Sequence, residues 1–149
     1  MNDSKMPREA GPGIDAWGAA LGMEILEATG ERVEARVVAG AQHHQPYGIV
    51  HGGVYCSIVE GVASIGAAMS VVGSGRAGVV GVSNSTDFLR SHSTGELRAV
   101  GLPLHQGRSY EIWEVVIRRA SDAKPVARGQ VRLHVLQELP AARNGHAAR

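Results

Sequence analysis

Polar and apolar positions alternate along Glu31-Arg32-Val33-Glu34-Ala35-Arg36-Val37-Val38. A period of two marks a half-buried strand. The stretch Gly22-Met23-Glu24-Ile25-Leu26-Glu27-Ala28 precedes it, and Thr29-Gly30 between the two predicts a hairpin turn. The period changes at Gly52. From there to about Val72, the residues Val54, Ile58, Val62, Ile65, Met69 and Val72 recur at helical intervals. Gly53, Gly61, Ala63, Gly66, Ala67 and Ala68 fill the gaps. A helix so apolar on most sides is expected to be buried. Its small residues invite close approach of other backbone, and Gly73-Ser74-Gly75 ends it.

After the helix the two-residue period returns. Strands are predicted over Gly78 to Leu89, Glu96 to Leu104, Ser109 to Arg118 and Val126 to Leu136. Ser93-Thr94-Gly95, His105-Gln106-Gly107 and Ser121-Asp122-Ala123 separate them. Pro103 and Pro125 suggest strand edges or a bulge. Upstream, Ile14 to Leu21 reads as a short helix, with Asp15 near its start and Trp17 and Leu21 on one face. Ala39 to Ile49 is irregular, broken by Pro46 and Gly48. Two strands, one long apolar helix and four more strands predict an α+β layer, a curved antiparallel sheet covering the helix. One helix leaves much of such a sheet bare, so oligomerisation is expected.

The 149 residues make one domain, expected over residues 14–136. Residues 1–13 read as a flexible polar leader and residues 137–149 as a flexible tail. With no apolar stretch after the leader, a secretory signal is not expected, and the location implied is cytoplasmic. The single cysteine, Cys56, agrees with a reducing compartment. Fifteen cationic against 14 acidic side chains give a net charge of +1, which argues against a nucleic-acid partner. Glu60 and several Gly and Ser interrupt Gly52 to Val72, so no membrane partner is expected either. Among the cations only Lys5 and Lys124 are lysines. The arginine fork suits phosphates and carboxylates.

Two features carry chemistry. His51-Gly52-Gly53 stands at the helix start, where backbone N–H groups lack internal partners and meet the positive end of the dipole. That makes a site for a carbonyl oxygen or oxyanion, although a plain helix start has the same look. Glu60 lies eight residues on, in apolar surroundings that make a carboxylate costly without partners. Such groups gather at active sites. Ser64 shares its face, one turn further. Eight residues span roughly 12 Å of helix, so one chain does not bring Gly52 and Glu60 to one carbon. Two antiparallel copies of the helix would, in a two-fold dimer.

The segment Gly48-Ile49-Val50-His51-Gly52-Gly53 with Glu60 resembles the signature of hotdog-fold acyl-CoA thioesterases. Within that group it is similar to the phenylacetate-pathway and 4-hydroxybenzoyl-CoA type, the glutamate-using branch. Ser83-Asn84, Phe88-Leu89-Arg90 and Pro103 to Ser109 extend the likeness, which covers about Gly22 to Leu136. The resemblance implies a hotdog fold and hydrolysis of an acyl-CoA with an aromatic or medium-size acyl group. It implies that Glu60 is nucleophile or general base and that the Gly52 N–H polarises the thioester carbonyl. Gln45 and His51 would orient the thioester or water, and Ser64 would assist the attacking water. Arg90, Arg108 and Ser109 would contact the CoA nucleotide and phosphates; Arg108 departs from the family, where Ser occurs. Coenzyme A enters as part of the substrate, with no separate cofactor. A homo-oligomer, a dimer or a dimer of dimers such as a homotetramer, is implied.

The rivals are a hotdog hydratase or dehydratase, and a non-catalytic acyl-CoA-binding or sensing protein. The first needs a histidine working beside the carboxylate, and the second has no use for Glu60 in an apolar helix. No metal site is expected, because His43, His44, His51 and Cys56 match no zinc spacing. Asn84-Ser85-Thr86 spells a glycosylation sequon, discounted in a chain with no expected signal peptide. Cys56 reads as packing, Trp113 and Tyr110 as sheet-face residues, and Tyr47 as a candidate for the acyl pocket wall.

Overall fold

A computed structural model describes residues 13–138. Of the leader and tail expected to be flexible over residues 1–13 and 137–149, all but Gly13, Gln137 and Glu138 lie outside the described residues. The elements follow the predicted order: helix α1 (Ala16–Ala20), strands β1 (Glu24–Ala28) and β2 (Val33–Ala39), and a short 3-10 turn (Ala41–His43). Helix α2 (Gly52–Val71) comes next, then β3 (Gly78–Phe88), β4 (Gly95–Gln106), β5 (Tyr110–Arg119) and β6 (Pro125–Leu136).

The strands form one six-stranded antiparallel sheet in the order β1-β2-β4-β5-β6-β3. Alternation decides its faces. Val33, Ala35, Val37 and Ala39 are buried, as are Leu97, Ala99, Trp113, Val115, Ile117, Val131 and Leu133. They meet α2, which lies in the curve of the sheet and completes a hotdog fold. The outward positions of β1, β2 and β4 carry an ion-pair lattice. Arg32 pairs with Glu27 and Glu34, Arg36 with Glu24, and Arg98 with Glu34 and Glu96. Arginine on this face is therefore structural. β4 runs two residues beyond its predicted end, carried past Pro103 by a bulge between Pro103 and His105. Pro125 opens β6, at a strand end as expected.

The buried stripe of α2 differs from the predicted one. It runs through Tyr55, Ile58, Val59, Val62, Ala63, Gly66 and Ala67, with Ile65 and Val71 beside it. Val54 and Met69 are only partly buried, and Val72 is exposed. The small residues turn toward the sheet because Trp113 fills that space: a Cβ on Gly66 would overlap its ring. The helix is consequently not buried on most sides. Cys56, Ser57, Glu60, Gly61 and Ser64 form a half-exposed flank away from the sheet. The helix is long and apolar enough to cross a bilayer, yet half of its most apolar window is buried inside the fold.

The short helix also departs in detail. Asp15 caps it, accepting from the Gly18 N–H at 2.7 Å. Leu21 turns inward, whereas Trp17 is 62% exposed, so the two do not share an environment.

Candidate active site

Glu60 projects from the exposed flank of α2 toward the edge strand β3. The Asn84 side-chain amide donates to Glu60 Oε2 at 3.2 Å and to the Cys56 carbonyl at 3.0 Å. Thr86 Oγ1 donates to Asn84 Oδ1 at 2.7 Å and fixes which end of the amide faces the helix. Gly81 makes room, since a Cβ there would collide with Glu60 Oε1. Glu60 is thus half-exposed, partnered and held beside a cavity rather than sunk in the core. Ser64 and Cys56 line the same cavity. Cys56, read as packing, is half-buried and forms part of the cavity wall.

Gly52 opens α2, and His51 is its N-cap. His51 Nδ1 accepts from the Gly53 N–H at 2.8 Å, which places the ring proton on Nε2. The Val54 N–H bonds back to the His51 carbonyl at 2.9 Å. The Gly52 N–H has no acceptor among the described residues and remains at the positive end of a twenty-residue helix. Side-chain space at Gly52 is already taken by the Phe88 ring, which a Cβ would overlap.

A second cavity, of about 280 Å³, lies at this end. Gln45, Gly52, Tyr55, Phe88 and Arg90 line it. Gln45 is held by its loop: its Oε1 accepts from the Tyr47 N–H, and its backbone bonds to Ile49 and Gly48. Arg90 Nη1 donates to the Pro125 carbonyl at 2.8 Å. Tyr47 is 89% exposed and lines neither this cavity nor the one at Glu60, against expectation. Tyr55 is buried, and its hydroxyl has no hydrogen-bond partner among the described residues. Burial pushes the Tyr55 phenol above its ordinary pKa, with Arg119 opposing weakly.

The predicted site residues therefore fall into three places. Glu60 and Ser64 share one cavity, and Gln45, Gly52 and Arg90 share another. His51 lines neither; it adjoins Gly52 as the N-cap of α2. Arg108 and Ser109 sit in the β4–β5 turn, just after Gln106, whose side chain bonds the Gly30 carbonyl where Gly30 packs on Ser70 in the last turn of α2. Arg90 and Arg108 thus lie toward opposite ends of a helix roughly 30 Å long. Neither makes an ion pair among the described residues, and the same is true of Arg76, Arg118 and Arg132. No group of three His, Cys, Asp or Glu side chains among the described residues is placed to hold a metal. His43 is buried; its Nδ1 accepts from the Gly40 N–H and its Nε2 meets the Leu21 carbonyl at 2.9 Å.

Two participants escaped the sequence reading. Asn84 entered only as part of a sequon and of the Ser83-Asn84 likeness, with no site role; the threonine two residues on, which shares its strand face, was the available signal. Glu111 is fully buried, bound by the Trp113 indole N–H at 2.7 Å and the Ser70 hydroxyl at 2.5 Å. An acidic residue two positions from a buried tryptophan on one strand gave its only hint.

The sequence pattern of the thioesterase superfamily matches residues 47–126, a stretch longer than half the chain. The chain belongs to this superfamily. A Mycobacterium tuberculosis protein described as a candidate esterase is 41% identical over 121 residues, covering 80% of this chain and 86% of the relative. The proofreading thioesterase EntH of Cronobacter turicensis is 34% identical over 99 residues, 65% of this chain and 69% of its own. Among solved structures, S. sahachiroi AziG superimposes with a TM-score of 0.79 at 40% identity, over 83% of this chain and 98% of its own. A thioesterase from Haemophilus influenzae gives 0.77 at 26% identity, over 85% and 87%. Superfamily and relatives together support a thioester hydrolase.

Proposed function

We propose that this thioesterase hydrolyses an acyl-CoA to the free acid and CoA, as a cytoplasmic enzyme of the glutamate-using branch. The reading is carried by the division of the site along α2. A partnered carboxylate lies at Glu60, and a backbone donor without an acceptor among the described residues lies at Gly52, eight residues earlier. Each has its own cavity and each supplies what the other lacks.

In this reading the Gly52 N–H of one copy binds the thioester oxygen, and Glu60 of a second copy faces the carbonyl carbon. Attack makes the oxygen an oxyanion, which a preorganised N–H at a helix N-terminus stabilises. Glu60 either attacks directly, giving a mixed anhydride that water then opens, or takes a proton from water as it attacks. In both routes the C–S bond breaks and CoA leaves as its thiolate. In this reading Ser64, one turn from Glu60, holds the water, and Gln45, which lines a cavity with Gly52, orients the thioester. His51 serves through the helix start it caps. Arg90, Arg108 and Ser109 are the CoA contacts proposed, drawn together only by an oligomer. The edge strand β3, paired on one side alone and exposing Val80 and Val82, is the seam of the dimer in this reading, and dimers pair further into a tetramer.

The test is thiol release from benzoyl-, 4-hydroxybenzoyl-, phenylacetyl-, hexanoyl- and palmitoyl-CoA, with Glu60→Gln alongside. Release that falls by several orders of magnitude in a folded, oligomeric Glu60→Gln protein is expected. Near-normal activity in that variant overturns the assignment. CoA binding without release from any thioester favours a sensing protein.

A further inference from the structure

The cavity beside Glu60 has a second side that the hydrolytic reading does not use. It extends between α1 and α2, encloses about 390 Å³, and is lined by Trp17, Met23, Cys56, Glu60, Gly61 and Ser64 among others. Trp17 is the unusual member. An indole 62% exposed on a five-residue helix gains little from burial. Yet it is held in place: its N–H donates to Ser57 Oγ at 2.9 Å, and that hydroxyl spends its own proton on the Gly53 carbonyl at 2.8 Å. The other end of α1 is anchored separately, by the Met23 N–H to the Gly18 carbonyl at 3.0 Å and by His43 against the Leu21 carbonyl. The ring is thus fixed at the cavity mouth without being used by the core.

The floor is equally specific. Met23 lies flush on α2 where Gly61 has no side chain; a Cβ there would stand 2.9 Å from the Met23 methyl. The cavity lining thus combines a flat indole with a polarisable thioether, a pair suited to a planar ring. Aromatic rings stack on indole, and thioether sulfur meets ring edges favourably. Glu60 lines the same cavity, so a ring held there is carried next to the proposed reacting group.

We propose that this α1–α2 chamber receives the acyl group, and that Trp17 and Met23 are specificity-determining residues that favour a planar aromatic acyl over a flexible chain. The proposal rests on Glu60 as the hydrolytic residue. It assigns selection of the acyl group to the N-terminal helix, outside the signature motif.

The experiment compares Trp17→Ala and Trp17→Phe with the unaltered protein on benzoyl-CoA and hexanoyl-CoA, reading KM and kcat separately. Trp17→Ala should raise KM for benzoyl-CoA about tenfold, against less than threefold for hexanoyl-CoA. Trp17→Phe, which keeps a ring but loses the tether to Ser57, should retain most of the preference. Equal effects on both thioesters, or none, overturn the proposal. A binding measurement covers the case in which Trp17→Ala fails to fold. Benzoyl-CoA titrated into Glu60→Gln protein should change tryptophan emission, and the change should vanish in Glu60→Gln/Trp17→Phe, where buried Trp113 alone reports. An unchanged signal in both shows that the chamber is filled otherwise, for example by a second copy of the chain, and also overturns it. Failure of the Glu60 reading is distinct: it shows as hydrolysis of every thioester surviving Glu60→Gln.

Discussion

Asn84 on the edge strand reaches across to Glu60 in the middle of α2, with 3.2 Å between its amide nitrogen and the carboxylate. The same amide hydrogen-bonds the Cys56 carbonyl, one helical turn before Glu60. One side chain therefore ties the position of the carboxylate to the helix that carries it. The register of β3 on β6 sets where Asn84 lies, with Asn84 opposite Val131 just past the irregularity between Gly81 and Ser83. A local break in strand pairing thus helps to place the proposed catalytic group.

Asn84→Ala should lower kcat by about tenfold to a hundredfold, the worth of a hydrogen bond to a charged group, ~1.5–3 kcal/mol. KM should move little, because Asn84 is a positioning residue and makes no proposed contact with CoA. Asn84→Asp should be worse than Ala, since it sets a second carboxylate against Glu60. A steady-state comparison of the three proteins decides it. A fall in KM-linked binding with kcat intact would assign Asn84 elsewhere.

Gly52 and Phe88 are coupled by exclusion. Gly52→Ala drives a methyl into the Phe88 ring and should destabilise the fold by roughly 1–3 kcal/mol, the usual cost of overpacking. Phe88→Ala in the same chain should relieve the clash, so the double variant should be more stable than additivity predicts. Urea unfolding of the four proteins measures the coupling. Strict additivity would mean that the helix start shifts freely, and that Gly52 is not held in place by the ring.

The strands and the long helix were legible because period two and helical spacing are strong local signals. The helix bounds follow from Gly52 and the Gly73-Ser74-Gly75 break. Which stripe of α2 faces the sheet was not legible. Ile58, Val62 and Ile65 of the predicted stripe are buried, but Val54, Met69 and Val72 are not, while Gly66 lies against the Trp113 ring, which a Cβ there would overlap. Part of the stripe was therefore set by the volume the sheet presents rather than by hydrophobicity. In the site, Glu60 stood out because a carboxylate is conspicuous among apolar neighbours. Asn84 and Trp17 did not, since their roles depend on strand register and on the docking of α1, both tertiary facts. The separation of Arg90 from Arg108 was hidden for the same reason: closeness to a common ligand is not a property of spacing.

Glu111 makes a prediction about stability rather than catalysis. Its carboxylate accepts from Trp113 and Ser70 inside the core, tying β5 to the last turn of α2. Glu111→Ala leaves both donors to find new partners, and each buried group left unsatisfied costs about 1–3 kcal/mol. Glu111→Gln keeps one acceptor oxygen and should lose less. Ser70 Oγ also lies 2.7 Å from the Ala67 carbonyl, so Ser70→Ala should be milder than either. Denaturant titration should give the order Glu111→Ala, Glu111→Gln, Ser70→Ala from most to least destabilised. If Glu111→Ala proves as stable as the unaltered protein, the buried network is not a support of the fold.

The division of the site along α2 allows a test that needs no knowledge of the substrate's acyl group. Glu60→Ala removes the carboxylate half, and Gln45→Ala damages the donor half. If each site takes Glu60 from one copy and Gln45 from the other, a mixed dimer of the two variants holds one doubly damaged site and one intact site. Random reassembly of an equal mixture should then recover about a quarter of the unaltered activity, because half the dimers are mixed and each has one working site. Sites contained within single chains recover nothing, since every chain carries a defect. The assay therefore separates a shared site from two self-contained ones, even when both variants alone are inactive for the reasons proposed. Recovery that grows as subunits exchange, and stops when exchange is blocked by cross-linking before mixing, would locate the gain in the dimer itself.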